Sequence, residues 1–282
     1  MELTYTAQRE GRLSSFLREE MAMSLGLMNR LKWQDKLYVN GTPQHTDFAV
    51  KPGDVITVLL DEPEPEYPAQ DGPLTILYED AYMLAVDKPA GMLIHPSRSR
   101  MTDTLANYVL GYYQKTGQKS AFHPLTRLDR DTFGVVLLAK NSHIHALLSN
   151  TKVQKTYEAL VYGQVKEDAF TIDAPIARLP LPSLLRKVDA QGKPSVTKVQ
   201  VVKRWETASL LSLEPITGRT HQLRVHCAYI GHPILGDPQY GTEESQTYSL
   251  AQGYAHQQLC AKKLEFVHPI TGAFMELCKG EW

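Results

Sequence analysis

Apolar residues over the first sixty positions follow two different periods. Leu13, Phe16 and Leu17 stand at helical spacing behind a Gly11-Arg12 start, and Leu27, Met28 and Leu31 make a second apolar face of the same kind. Lys36-Leu-Tyr-Val-Asn-Gly41 then reads as a strand entering a tight Asn-Gly turn. Lys51-Pro-Gly-Asp54 is another turn, leading into the alternating stretch 55–60. Two helices followed by a small hairpin sheet predict a compact α+β unit over residues 1–60. Residues 61–73, Asp-Glu-Pro-Glu-Pro-Glu-Tyr-Pro-Ala-Gln-Asp-Gly-Pro, are too rich in proline and acid to bury a core and are expected to form a linker.

Beyond the linker, over residues 74–282, strand-like runs dominate: 76–78, 83–86, 134–139, 157–162, 196–202 and 208–213. Helical patterns are fewer, chiefly 103–113, 143–149 and 220–230. Because strands and helices do not alternate strictly, the pattern predicts a sheet-dominated α+β domain rather than a doubly wound parallel one.

Composition narrows the class. Of 282 residues 43% are hydrophobic, ordinary for a folded chain and far from a disordered one. No apolar run approaches the roughly 20 residues of a membrane helix, and residues 1–10 are mixed polar without the apolar core of a secretory signal. Cys227, Cys260 and Cys278 are odd in number and far apart, which argues against a disulfide framework or a compact zinc site and fits a reducing cytoplasm. A net charge of −1 excludes nucleic-acid binding by bulk charge, so local patches would have to serve. One patch exists: positions 178–224 hold nine Lys or Arg (Arg178, Arg186, Lys187, Lys193, Lys198, Lys203, Arg204, Arg219, Arg224) against three acids, a local charge of +6. On its own this is equally a solvated loop and strand.

Three segments carry candidate chemistry. His123-Pro-Leu-Thr-Arg-Leu-Asp-Arg-Asp-Thr-Phe-Gly-Val-Val-Leu-Leu-Ala-Lys140 is a polar loop running into a buried strand, which would anchor Asp129 at the sheet's edge. Out of context, such an Asp is commonly a turn or cap residue. Lys155-Thr-Tyr157 opens a strand, where an aromatic commonly packs on a neighbour, although a phenol also offers a stacking face with a polar tip. In Gly218-Arg-Thr-His-Gln-Leu-Arg-Val-His-Cys-Ala-Tyr-Ile-Gly-His-Pro-Ile-Leu-Gly-Asp237, Thr220 is the expected N-cap of a short helix. Leu223, Cys227 and Ile230 form its apolar side, and Gly231 and Pro233 its stop. His221 and His226, five apart, point in different directions, so a shared metal is not expected.

Arg127-Leu-Asp-x-x-Thr-x-Gly134, followed by an apolar strand ending Ala-Lys, resembles the signature loop of RluA-type pseudouridine synthases. Tyr78-Glu-Asp80 and Asp87-Lys-Pro-Ala-Gly-Met-Leu-Ile-His-Pro96 resemble that family's opening motif, and Leu264-Glu-Phe-Val-His-Pro-Ile-Thr-Gly272 its closing one. The resemblance implies that Asp129 is the catalytic aspartate and that Arg127 enters the RNA stack as the target base flips out. It further implies that Tyr157 stacks on the uracil and that Arg224 partners Asp129. The family usually carries His where this chain has Thr126, and Ser where it has Phe133.

Residues 1–60 resemble the small RNA-binding fold named after ribosomal protein S-four, whose contacts would fall here on Arg12, Arg18, Arg30 and Lys32. The implied activity is isomerisation of uridine in structured RNA, ribosomal (the large subunit first) or transfer, by a cytoplasmic monomer with no membrane association, cofactor or metal. Arg178, Arg186, Lys187, Lys193 and Arg219 would contact phosphates. Two other readings stand beside it. One is a non-catalytic RNA-binding protein, which would not need Asp129, Tyr157 and Arg224 together. The other is a glycosidase using Asp129 and Asp131, which their two-residue spacing and the scattered Trp33, Trp205 and Trp282 disfavour.

Overall fold

The computed structural model of the chain describes residues 1–62, 67–97 and 100–280. The middle of the expected linker, residues 63–66, and Trp282 lie outside the described residues.

The first sixty residues contain β1 (Glu2–Thr6), β2 (Gly11–Arg12), α1 (Leu13–Glu19), α2 (Leu25–Trp33), β3 (Leu37–Val39), β4 (Thr42–Pro43), β5 (Ala49–Val50) and β6 (Val55–Leu59). Strands β1, β6, β3 and β4 form one sheet in that order, and β2 pairs with β5. Leu13, Phe16 and Leu17 of α1 and Met28 and Leu31 of α2 close over Leu37, Val39, Ile56 and Val58 as a separate core. The turn between β3 and β4 has Asn40 at φ 50° and Gly41 at φ 77°, the left-handed pair that a two-residue hairpin turn demands. The apolar pattern does not predict β1, in which only Leu3 is fully buried. Its ladder to β6 makes it a strand.

The rest comprises β7 (Thr75–Glu79), β8 (Met83–Lys88), α3 (Leu105–Lys115), β9 (His123–Pro124), β10 (Phe133–Ala139), α4 (Ser142–Asn150), β11 (Gln154–Tyr162), β12 (Ala169–Asp173), β13 (Ile176–Arg178), β14 (Arg186–Val188), β15 (Val196–Arg204), β16 (Ala208–Pro215), α5 (Gln222–Tyr229), α6 (Glu243–Ala251), β17 (Leu259–Val267) and β18 (Phe274–Cys278). The large sheet runs β12-β15-β16-β11-β17-β10-β8-β7, with β18 on β17 and β9 on β10. This is the sheet-dominated α+β class expected. β8 and β10 are buried on both faces, as their unbroken apolar runs require. Leu84, Val86, Val136 and Leu138 pack under α3, while Met83, Ala85, Val135 and Leu137 pack over α4. On the α3 side, α5 covers Ala159, Val161, Leu211 and Leu213.

All ladders of this sheet are antiparallel except β10 with β17, which pair only at Phe133–Cys260 and Gly134–Ala261. Two half-sheets therefore meet at a short seam. Gly134 makes the seam possible: its φ is 109°, and a Cβ there would lie 2.3 Å from the Ala261 carbonyl oxygen. The opening and closing motifs also meet. Asp80 accepts from the Tyr82 and Met83 amides, both at 2.7 Å, and lies 2.8 Å from His268 Nε2.

Candidate active site

The loop between β9 and β10 is fixed from beneath before it offers anything to a ligand. Thr126 is buried and its hydroxyl accepts from the Leu137 amide at 3.1 Å, so the residue standing where the family usually has His ties the loop to β10. Leu128 points inward, Arg127 lies outside and Asp129 is half-buried. Lys88, fully buried, donates to the carbonyls of Pro89, Met92 and Arg130, each at 2.9 Å, and so holds the backbone just after Asp129. Burial lowers the Lys88 pKa to about 8. Three carbonyl acceptors match the three donors of an ammonium group. Asp129 lies in the loop four residues before β10, and this loop feeds an internal strand flanked by β8 and β17, not a strand at the sheet's edge as expected. Asp131 is turned away, paired with Arg130 at 2.8 Å and His256 at 3.0 Å.

Arg224 reaches this loop from α5. Its Nε and one terminal nitrogen grip Asp237 at 2.7 and 2.9 Å, the latter also donating to Gln239 at 2.7 Å. The other terminal nitrogen donates to Asp129 Oδ2 at 3.0 Å. Burial works against the guanidinium's charge, but Asp237 and Asp129 outweigh it and raise its pKa. Asp129 Oδ1 accepts no hydrogen bond among the described residues.

Tyr157 enters from β11, where the ladder to β17 slips between Thr156 and Tyr157 so that β17 carries one extra residue, Lys262. A bulge of this kind re-aims side chains, and Tyr157 sits at the meeting of the cores under α3 and α5. Burial, and then the charge of Asp129, push the phenol up to about 12, so it keeps its proton at neutral pH.

Asp129, Tyr157 and Arg224 line one cavity of about 530 Å³ together with Arg127, Arg219 and His221, within the range of roughly 300–1,000 Å³ typical of small-molecule sites. Arg127 is exposed and has no ion pair among the described residues. The helix begins differently from expectation. Its N-cap is His221 in the left-handed region (φ 57°) without a side-chain cap bond, and Thr220 is exposed. Gln222 takes over the anchoring, donating to the Val196 carbonyl at 3.0 Å and accepting from the Arg219 amide at 3.0 Å. His226 is buried against Thr197 and the Ala174 carbonyl, away from His221.

The basic run is not one patch. Arg178 and Arg186 are cross-strand partners in the β13–β14 hairpin. Lys187 beside them is paired with Asp189 at 2.7 Å, and Lys193 is exposed opposite Ile176. Arg219 donates to the Pro194 carbonyl at 3.1 Å. Lys203 and Arg204 sit at the other end of β15, on the Trp205 ring and on Asp168 respectively. The nine-residue β15 is about 30 Å long at about 3.3 Å per residue, which separates these two from the hairpin. Among the described residues no group of three His, Cys, Asp or Glu could hold a metal ion. Sequence reasoning missed Asp237 and Lys88 as supports of the site and His221 as part of the cavity wall, although all three lie within motifs it quoted.

Residues 82–229 match the RNA pseudouridylate synthase family model. The chain is 35% identical over 264 residues to the uncharacterized RNA pseudouridine synthase YjbO of Bacillus subtilis, covering 90% of this chain and 91% of that protein. It is 35% identical over 271 residues to ribosomal large subunit pseudouridine synthase D of Vibrio cholerae, covering 88% and 81%. The solved structure of human RNA pseudouridylate synthase domain containing 1 superposes with a TM-score of 0.61 at 27% identity, over 76% of this chain and 86% of that one.

Proposed function

The chain belongs to the RNA pseudouridylate synthase family, an RNA uridine-to-pseudouridine isomerase, and from that premise we propose that it modifies large-subunit ribosomal RNA with Asp129 as its catalytic carboxylate. The observation that carries the reading is the single cavity shared by Asp129, Tyr157 and Arg224, with Arg224 bonded to Asp129 Oδ2 at 3.0 Å. The rRNA assignment rests on relatives named ribosomal large subunit pseudouridine synthase D.

The reaction breaks the bond from N1 of uracil to C1′ of ribose, turns the base while it is held, and joins C5 to the same carbon. The proton lost from C5 is matched by one gained at N1, so no electrons are transferred to or from the substrate. Oδ1 of Asp129, with Oδ2 held, is the oxygen free to act on the ribose, by attack or by deprotonation. A base inside folded RNA must leave its stack, at a cost of about a few kcal/mol. Arg127 at the cavity mouth would fill the vacated space, and Tyr157, a protonated phenol, would lie against the base and offer a hydrogen bond. Arg178, Arg186, Lys187, Lys193 and Arg219 would meet phosphates and set register.

The test is tritium release from C5-labelled uridine in total cellular RNA. Wild-type protein releases label and Asp129→Asn, with an unchanged circular-dichroism spectrum, does not. Full release by that variant would remove Asp129 from the chemistry. Mapping pseudouridine in a strain lacking the protein is expected to show a missing large-subunit site, whereas loss confined to transfer RNA would reassign the substrate.

A further inference from the structure

His221 is half-buried in the wall of the cavity, and its backbone is held in a conformation unusual for a residue with a side chain. Its ring Nδ1 lies 2.8 Å from the Tyr240 hydroxyl, and its Nε2 lies 3.9 Å from Asp129 Oδ2. The hydrogen-bond partners of this ring favour one tautomer. The backbone amide of Arg186 donates to the Tyr240 hydroxyl at 2.9 Å. Among the described residues that hydroxyl has no other acceptor, so the arrangement that satisfies every group within the site has it donating to His221 Nδ1. A neutral imidazole whose Nδ1 accepts must carry its proton on Nε2, on the side facing Asp129.

The ring is surrounded by Asp129, Asp237, Arg224, Arg186 and Tyr240. Burial lowers its pKa, and the charges of Arg224 and Arg186 act in the same direction against those of Asp129 and Asp237. The neutral form is therefore the one at neutral pH. A separation of 3.9 Å is too long for a hydrogen bond, but catalytic contacts often tighten only when substrate is bound.

We propose that His221 is a positioning residue for the isomerisation, donating from Nε2 to Asp129 Oδ2 in the substrate-loaded site. With Arg224 it would hold that oxygen from two sides and leave Oδ1 as the reacting atom. Tyr240 orients the ring and links it to the β13–β14 hairpin through the Arg186 amide. This role rests on Asp129 being the catalytic carboxylate.

Kinetics and NMR test it together. His221→Ala lowers kcat by roughly 10²-fold, the scale expected when a reacting group is misplaced, with KM little changed. His221→Gln, which brings an amide N–H toward the Nε2 position, recovers most of the loss. In ¹⁵N-histidine spectra of the wild type, His221 shows a proton-free Nδ1. Tyr240→Phe disturbs that signature, and Asp129→Asn shifts the Nε2 resonance. A folded His221→Ala with wild-type kcat, equal losses in the Ala and Gln variants, or a proton on Nδ1 would each overturn the proposal. The NMR arm needs no turnover, so an inactive wild type would refute the functional reading while His221 remained open to decision by its spectra.

Discussion

Asp237 occupies two of the nitrogens of Arg224, so the guanidinium meets Asp129 already oriented. The two carboxylates are unequal partners: the Asp237 side chain is fully buried, that of Asp129 about one-third exposed. Removing one member of a buried ion pair costs about 3–5 kcal/mol because the other is left uncompensated. Asp237→Asn is therefore expected to lower unfolding stability by that order and also to slow turnover. Asp129→Asn should leave stability nearly unchanged, because Arg224 keeps Asp237; denaturant titration of both variants separates them. Tyr157 gives a pH prediction. Its folded pKa is about 12 against an ordinary value of 10, so above pH 10 the unfolded chain ionises while the folded one keeps the proton. Stability contributed by this group is intact below pH 10 and is lost as pH rises to 12, by on the order of 2 kcal/mol. Urea melts across that window should fall less steeply for Tyr157→Phe than for the wild type. Asp129, Tyr157 and Arg224 could be picked out because they stand in motifs. Asp237 and His221 stand in the same segment as Arg224, and Lys88 in the opening motif, but their roles depend on which partners the fold brings to them, and spacing does not encode that.

Among the elements, those whose stability is written in local periodicity were legible. β8 and β10 are unbroken apolar runs buried on both faces, and α3 carries a buried stripe behind a Thr104 capping box. Elements made by their surroundings were not. α6 has only Ser245 and Ser249 fully buried and begins on a Thr242 cap, while β1 owes its form to β6. The bulge beside Tyr157 and the Gly134 seam have no signature beyond a single glycine. The basic stretch was legible as charge but not as shape, and its division yields a prediction. Arg178→Ala with Arg186→Ala should raise KM for RNA and reduce the slope of log affinity against log salt by about 1.5, two phosphate contacts' worth. Lys203→Ala, at the far end of β15, should change neither. Equal effects from both changes would mean that RNA runs the length of β15.

At the scale of the whole molecule, the distance between the small unit and the cavity decides what the small unit can do. Glu62 accepts from the Ser142 amide at 2.8 Å at the start of α4 and lies 3.0 Å from His123 Nε2, while the Asn141 side-chain nitrogen is 2.7 Å from the Met1 sulfur. All of these attachments gather where β10 ends, whereas Asp129 precedes its beginning. Seven residues of strand make that separation about 23 Å, so no side chain of the first sixty residues docked there can take part in bond breaking at the target base. Arg18 and Arg30 are exposed on or at the ends of their helices, and we expect them to hold RNA flanking the modified nucleotide. Arg18→Glu with Arg30→Glu in the full chain should raise KM several-fold, leave kcat at saturating RNA unchanged, and weaken binding more at low salt than at high salt, where surface charge is screened. An unchanged KM would make the unit a scaffold that caps α4. A fall in kcat with KM constant would instead require the unit to leave its docked position and reach the cavity during turnover.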